Sequence, residues 1–128
     1  MIMNDIIYDI VKKIYEVLDD KKGQSITVLS VKGISPISDY FVIATATSST
    51  HMNALVNHVE KEMSNLGIYP RHKEGKDHGG WLLIDYRDVV IHIFNAETRQ
   101  YYALERIWSD ATPIDFSLKH VKNVEFSS

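Results

Sequence analysis

The groups with obvious chemistry in this 128-residue sequence are six histidines, a few paired carboxylates and the hydroxyl run Thr47-Ser48-Ser49-Thr50. A metal site is the first chemistry to test. His51 and His58 lie seven apart on one predicted helix, two turns from each other, whereas a shared ion wants ligands at i and i+4. His72, His78 and His92 would meet only if a polar loop folded over the sheet. No HxH or HExxH pairing exists, so scattered surface or interface histidines are the favoured reading, with neither metal nor cofactor. Asp85 and Asp88 raise a second possibility. A nucleotidyltransferase holds Mg²⁺ with two carboxylates two apart on one face of a strand. Here the spacing is three and spans a turn, with Asp39 a distant third. Asp bonding its own turn backbone is preferred. Thr45 to Thr50 sits where a strand feeds a helix, a place that can hold an anion. The segment has neither Gly nor Lys, so helix capping is its expected job. Ser48 or Ser49 beside His51 lacks a GxSxG elbow and makes no nucleophile. No catalytic residue is assigned.

The aromatics say more. Trp81, Tyr86, Phe94, Tyr101, Tyr102 and Trp108 crowd together with Asp85, Asp88, Glu97 and Glu105. In a strand through residues 89–94, Val89, Ile91 and Ile93 share one wholly apolar face, which should meet the helices. Val90, His92 and Phe94 take the other, less covered face. An aromatic and acidic patch there fits either a protein-binding surface preferring a basic partner or ordinary packing beneath a helix.

Positioning these groups requires a mixed sheet. Ile6, Ile7, Ile10, Val11, Ile14, Val17 and Leu18 repeat at helical spacing, which predicts a helix from an Asn4 cap to Asp20, stopped by a left-handed Gly23. Ser25 to Val31 alternates and predicts a strand. Gly33 to Pro36 is a turn. Tyr40 to Ala44 is a continuous apolar run, suited to a central strand buried on both faces. Ser48, Ser49 or Thr50 would cap a helix carrying Met52, Leu55, Val56, Val59, Met63 and Leu66, which Gly67 stops. Tyr69 to Lys73 is a short edge strand, and Glu74 to Gly80 a mobile polar loop. Trp81 to Ile84 and Val89 to Phe94 form a hairpin through Asp85-Tyr86-Arg87-Asp88. Asn95 caps a third helix with Tyr101, Leu104, Ile107 and Trp108 as its stripe, and Pro113 lies beyond its end. The order α-β-β-α-(β)-β-β-α predicts a single α/β domain, a mixed β-sheet with helices packed on it. Residues 1–116 form that domain. Residues 117–128 are a tail, in which Leu118 to Ser128 is weakly patterned, either frayed or a short strand.

Composition fits. The chain is 45% apolar and 24% charged, ordinary globular values that exclude global disorder. Its net charge of −3 disfavours a general phosphate-backbone binder. The absence of Cys removes disulfides, thiolate metal sites and a Cys nucleophile. The N-terminus has no basic n-region and no run approaches a membrane span of ~20 residues, so a cytoplasmic location is expected.

Three ordered segments resemble signatures of the ribosomal silencing factor, or Iojap-like, family. They are Ser38-Asp39-Tyr40-Phe41-Val42-Ile43-Ala44-Thr45-Ala46-Thr47-Ser48-Ser49-Thr50-His51; Glu74-Gly75 followed by Trp81 through Phe94; and Glu97-Thr98-Arg99-Gln100-Tyr101-Tyr102-Ala103-Leu104-Glu105-Arg106-Ile107-Trp108. The resemblance covers roughly Ile6 to Ala111. It implies a nucleotidyltransferase-like core without catalytic carboxylates, and no enzyme activity. It further implies binding to the large ribosomal subunit through its ribosomal protein fourteen, a steric block to small-subunit joining, repression of translation, and a homodimer when free. By position, the implied partner-binding residues are Trp81, Asp85, Tyr86, Asp88, His92 and Phe94, with Tyr102 and Glu105. Trp81, Tyr86 and Phe94 would be apolar anchors, and Asp85, Asp88 and Glu105 would meet Lys and Arg. Two positions depart from the pattern, Ala46 and Arg87, where the family often has Gly. The competing readings are a divergent metal-dependent nucleotidyltransferase and a generic homodimeric interaction module.

Overall fold

The computed structural model describes residues 2–117, with side chains from residue 6 onward. The elements are α1 (Ile2–Asp20), β1 (Gln24–Ser30), β2 (Tyr40–Ala46), α2 (Ser49–Asn65), β3 (His72–Lys76), β4 (Trp81–Asp85), β5 (Val89–Asn95), α3 (Ala96–Tyr102), α4 (Leu104–Ile107) and β6 (Thr112–Ile114). A 3₁₀ turn at Asp77–Gly79 joins β3 to β4. The six strands form one sheet in the order β3-β4-β5-β2-β1-β6. Only β2 and β5 run parallel among these neighbours, in register from Tyr40 opposite Val89 to Ala46 opposite Asn95. This is the expected α/β fold with a mixed sheet.

The expected parity of β5 holds. Val89, Ile91 and Ile93 join Val28, Val42 and Ala44 beneath α1 and α2, against Val11, Ile14, Leu18, Met52, Leu55 and Val59. Burying side chains of this size contributes roughly 1.5–3 kcal/mol each before ordering costs. The opposite face carries a smaller cluster of Leu29, Val31, Ile43, Phe94 and Ala111, with Phe41, Trp81, Leu104 and Trp108 packed on it. That face is better covered than the alternation implied. Phe94 is 0% and His92 6% exposed, because Trp81 from β4 and the α3–α4 segment lie over them.

Several local expectations change. The backbone of α1 begins at Ile2, so Asn4 lies within the helix instead of capping it. After α1, Lys22 adopts the left-handed conformation (φ 68°) and the Gly23 N–H closes on the Leu18 carbonyl at 2.8 Å. Ser48 is the cap of α2, and its hydroxyl accepts from the His51 N–H. Leu66 ends that helix and is 56% exposed, outside the buried stripe. Edge strand β3 begins at His72, so Tyr69 to Arg71 precede it, and it takes in Glu74 to Lys76, three residues of the supposed loop, which pair with Leu83 to Trp81. Gly75 permits this at φ 92°, since a Cβ there would collide with the Trp81 carbonyl. The third helix is two helices. Ala103 turns left-handed at φ 47°, which points Leu104 and Trp108 to the sheet and leaves Tyr101 82% and Ile107 67% exposed. Pro113 lies in β6, an edge strand on β1 where a missing N–H is tolerated. Leu118 to Ser128 lie outside the described residues.

The two sequence departures have separate outcomes. Ala46 is 3% exposed in the main cluster and stands on an ordinary strand, so its methyl is accommodated. Arg87 sits at φ 76° in the β4–β5 turn, a conformation that costs a residue with a Cβ roughly 1 kcal/mol or more. Its N–H donates to Asp85 Oδ1 at 2.7 Å, a bond that a glycine keeps. Arg87→Gly is therefore expected to raise stability by about 0.5–1 kcal/mol, partly offset by the freer unfolded chain. A urea unfolding midpoint that falls would contradict this.

Candidate partner-binding surface

β4 and β5 set the geometry because they alternate in step. Trp81, Leu83 and Asp85 point to the face of His92 and Phe94, while Leu82, Ile84 and Tyr86 point to the helices. The eight residues singled out in sequence thus fall into different environments. Trp81, His92, Phe94 and Tyr102 come together. The Trp81 ring stacks on Phe94 at 4.9 Å between centroids and meets Tyr102 at 4.6 Å. Its indole Nε1–H donates to His92 Nδ1 at 3.2 Å. Phe94 and His92 form the floor, whereas half-buried Trp81 and exposed Tyr102 (43%) form the accessible top. Phe94 is therefore a support for the patch and offers no surface of its own.

Tyr86 packs on the other face, against the α1–α2 core. Its hydroxyl is buried without a partner among the described residues, and burial, aided by the Glu60 carboxylate, pushes its pKa up to about 12. Asp85 and Glu105 already have partners within the chain. Asp85 is held at 2.8 Å by Arg71. Burial raises its pKa, but the Arg71 guanidinium and the Arg87 N–H outweigh that and leave the carboxyl below its usual range. Glu105 receives the Arg99 guanidinium at 2.6 Å, which likewise overcomes burial and lowers its pKa. Asp88 lies at the hairpin end, where its carbonyl accepts from the Asp39 and Tyr40 N–H groups.

Burial alone dominates His92. It pulls the imidazole pKa down to about 4. The ring is neutral at physiological pH and serves as an acceptor for Trp81. His51, the supposed partner of Ser48, is a structural tie. Its Nδ1 accepts from the Thr47 N–H and its Nε2 meets the Lys21 carbonyl, each at 2.9 Å, so it joins the end of α1 to the start of α2. Among the described residues, no group of three His, Cys, Asp or Glu is placed to hold a metal ion.

A sequence profile of one family, described as ribosomal silencing factor during starvation, matches residues 5–128. The chain belongs to this ribosomal silencing factor family. A ribosomal silencing factor of Halalkalibacterium halodurans is 38% identical over 98 residues, covering 77% of this chain and 84% of that one. The Bacillus subtilis factor is 36% identical over 102 residues, covering 78% and 86%. A crystal structure of a Chromobacterium violaceum protein superposes with a TM-score of 0.76 at 31% identity, over 80% of this chain and 85% of that one. The silencing factor is thus a ribosome regulator and not an enzyme. No helix among its described residues is long and apolar enough to cross a membrane.

Sequence reasoning missed Phe41 as a member of the patch, and named Trp108 among the aromatics without placing it in the partner-binding set. Phe41 meets His92 at 5.3 Å and Trp108 at 5.0 Å, nearly edge-on to both. The continuous run Tyr40 to Ala44 concealed which side each residue takes, and the break at Ala103 hid the direction of Trp108. Parity carried from β5 through the parallel pairing would have found Phe41. Arg99 was also missed, although it fastens the whole α3–α4 segment to the sheet.

Proposed function

We propose that this silencing factor binds the large ribosomal subunit through ribosomal protein fourteen, blocks joining of the small subunit by occupying that surface, and so represses translation. Family membership supports the reading. The observation that carries it to this chain is the exposed aromatic top of the β4–α3 patch, Trp81 beside Tyr102 on a buried Phe94–His92 floor. Preorganised aromatic groups of this kind often dominate interface energy. Residues 1–116 are the unit proposed to carry the function. Free copies would pair through the same patch, so that homodimer and ribosome complex compete. Neither a sequence-specific nucleic-acid contact nor a membrane is part of the mechanism.

The test is sedimentation of the protein with separated subunits, followed by addition of the missing one. Co-sedimentation with the large subunit alone and fewer joined ribosomes is the expected result. Trp81→Ala should weaken that binding by on the order of 2 kcal/mol, whereas Trp81→Phe, which keeps a ring on Phe94, should lose less. Unchanged affinity in a folded Trp81→Ala protein would move the interface elsewhere. Binding to neither subunit would remove the proposal itself.

A further inference from the structure

The aromatic patch does not end at Trp81. A small cavity of about 120 Å³ is lined by Trp81, Leu83, Glu74 and Gly75. Leu83 and Glu74 also line a groove of about 410 Å³ between the Ser35–Ser38 loop and strands β3 to β5. Patch and groove are therefore one continuous surface, joined at half-buried Leu83. The loop wall is fixed. Ser35 Oγ accepts from the Ile37 and Ser38 N–H groups, and Ser38 Oγ donates to the Arg87 carbonyl at 2.9 Å, tying the loop to the β4–β5 hairpin. A loop held in this way leaves Ile37 66% exposed beside the groove.

The lining of the groove is that of a protein contact. Phe41, Leu83, Val90 and Trp108 supply apolar walls. Its charged groups are matched in pairs, Arg71 with Asp85 at 2.8 Å and His72 with Glu74 at 2.7 Å. Apolar walls combined with hydrogen-bonded polar groups are what protein interfaces present. Charge at one end selects the occupant. Asp39 follows the loop directly, and its N–H donates to the Asp88 carbonyl at 2.9 Å, which brings the two residues together at the hairpin. Neither carboxylate has a bond among the described residues. Arg87 in the same turn offsets one of these charges and leaves the other.

On the reading that this face binds ribosomal protein fourteen, we propose that the contact extends from the aromatic patch into the groove. An apolar side chain of that protein packs among Phe41, Leu83, Val90 and Trp108 and against Ile37, and a Lys or Arg beside it reaches toward Asp39 and Asp88. Ile37 and the two carboxylates are then specificity determinants outside the aromatic patch. The full chain is titrated against isolated large subunits at several salt concentrations, as wild type, as Ile37→Ser, as the double variant Asp39→Asn with Asp88→Asn, and as Leu66→Ser. Leu66 is the matched control, an aliphatic 56% exposed at the end of α2.

Ile37 lies outside the core, so Ile37→Ser is expected to fold and to weaken binding at least about fivefold. The double variant should flatten the salt dependence, as loss of a rim charge does. Leu66→Ser should change neither. Wild-type affinity in Ile37→Ser, with Trp81→Ala still weakened, would overturn the proposal and leave the patch in place. Equal losses in Ile37→Ser and Leu66→Ser would overturn it too. So would Ile37→Ser protein that self-associates more weakly yet binds the subunit as before, which would assign the groove to a second copy of the chain. An unchanged salt dependence in the double variant would overturn the basic neighbour. A wild-type chain that binds no large subunit would overturn both this proposal and the reading beneath it.

Discussion

Lowering the pH from 7.5 to 5 should cost this fold about 2 kcal/mol through His92 alone. The imidazole pKa falls from 6.5 to about 4 on folding, because burial removes the solvent that would stabilise the cation. Below pH 6.5 the unfolded chain takes up a proton that the folded chain refuses, so stability drops as pH falls. The loss continues to the folded pKa near 4 and totals about 3 kcal/mol. Above 6.5 this contribution is fully present. The lowered carboxylates Asp85 and Glu105 act in the same direction, but in a more acidic window. His92→Gln retains an acceptor for the Trp81 indole and does not titrate. Its urea midpoint should change far less between the two pH values than that of the wild type. A parallel decline in both proteins would place the acid sensitivity elsewhere.

Replacing Arg99 should have a comparable effect without any pH change. Its side chain is 12% exposed and every donor is used. Nη1 donates to the Ser25 carbonyl and Thr45 Oγ1, Nη2 to Thr27 Oγ1 and Glu105, and Nε to Glu105. One guanidinium thus joins β1, β2, α3 and α4. Arg99→Met leaves the part-exposed Glu105 carboxylate and the Ser25, Thr27 and buried Thr45 oxygens without this donor, and is expected to cost about 1–2 kcal/mol. Arg99→Lys should recover only part, since an ammonium cannot span the fork. Glu105→Gln should cost less, because that carboxylate is 38% exposed and gains water. The signature of this role is positional. As α3 loosens, Tyr102 should leave Trp81, changing near-ultraviolet dichroism before the helices on the other face respond. Simultaneous loss of all signals, with no early aromatic change, would reduce Arg99 to a general core residue.

The sequence made the architecture readable where one physical rule acted alone. Alternation in Val89 to Phe94 identified the helix-facing side, and Ser48-Ser49-Thr50 and Asn95 marked helix starts, of which Ser48 and Asn95 prove to satisfy the free N–H groups. Legibility failed where distant contacts decide. Ala103 and Arg87 carry no left-handed preference, and only Leu104, Trp108 and Arg99 packing on the sheet explains the break after α3. Glu74 to Lys76 look like a loop, yet pairing with β4 makes them a strand. The site showed the same division. Trp81 and Tyr102 were identifiable as aromatics, but Tyr86 shares their type and lies on the opposite face, while Asp85 and Glu105 are already paired inside the chain. Carboxylates read as available to a partner were in part the means of holding the surface in place.

The parallel pairing of β2 with β5 also bears on how the protein is made. The two central strands are 49 residues apart in register, so the middle of the sheet cannot close until Asn95 has been synthesised. Until then a nascent chain has only two separate two-stranded pairs, β1–β2 and β3–β4, and two helices to cover its apolar faces, and a lone two-stranded ribbon is at best marginally stable. Closing so long a loop is entropically costly before any contact is gained. The N-terminal half should therefore emerge from the ribosome unfolded and protease-sensitive, and acquire protection in one late step as β5 arrives.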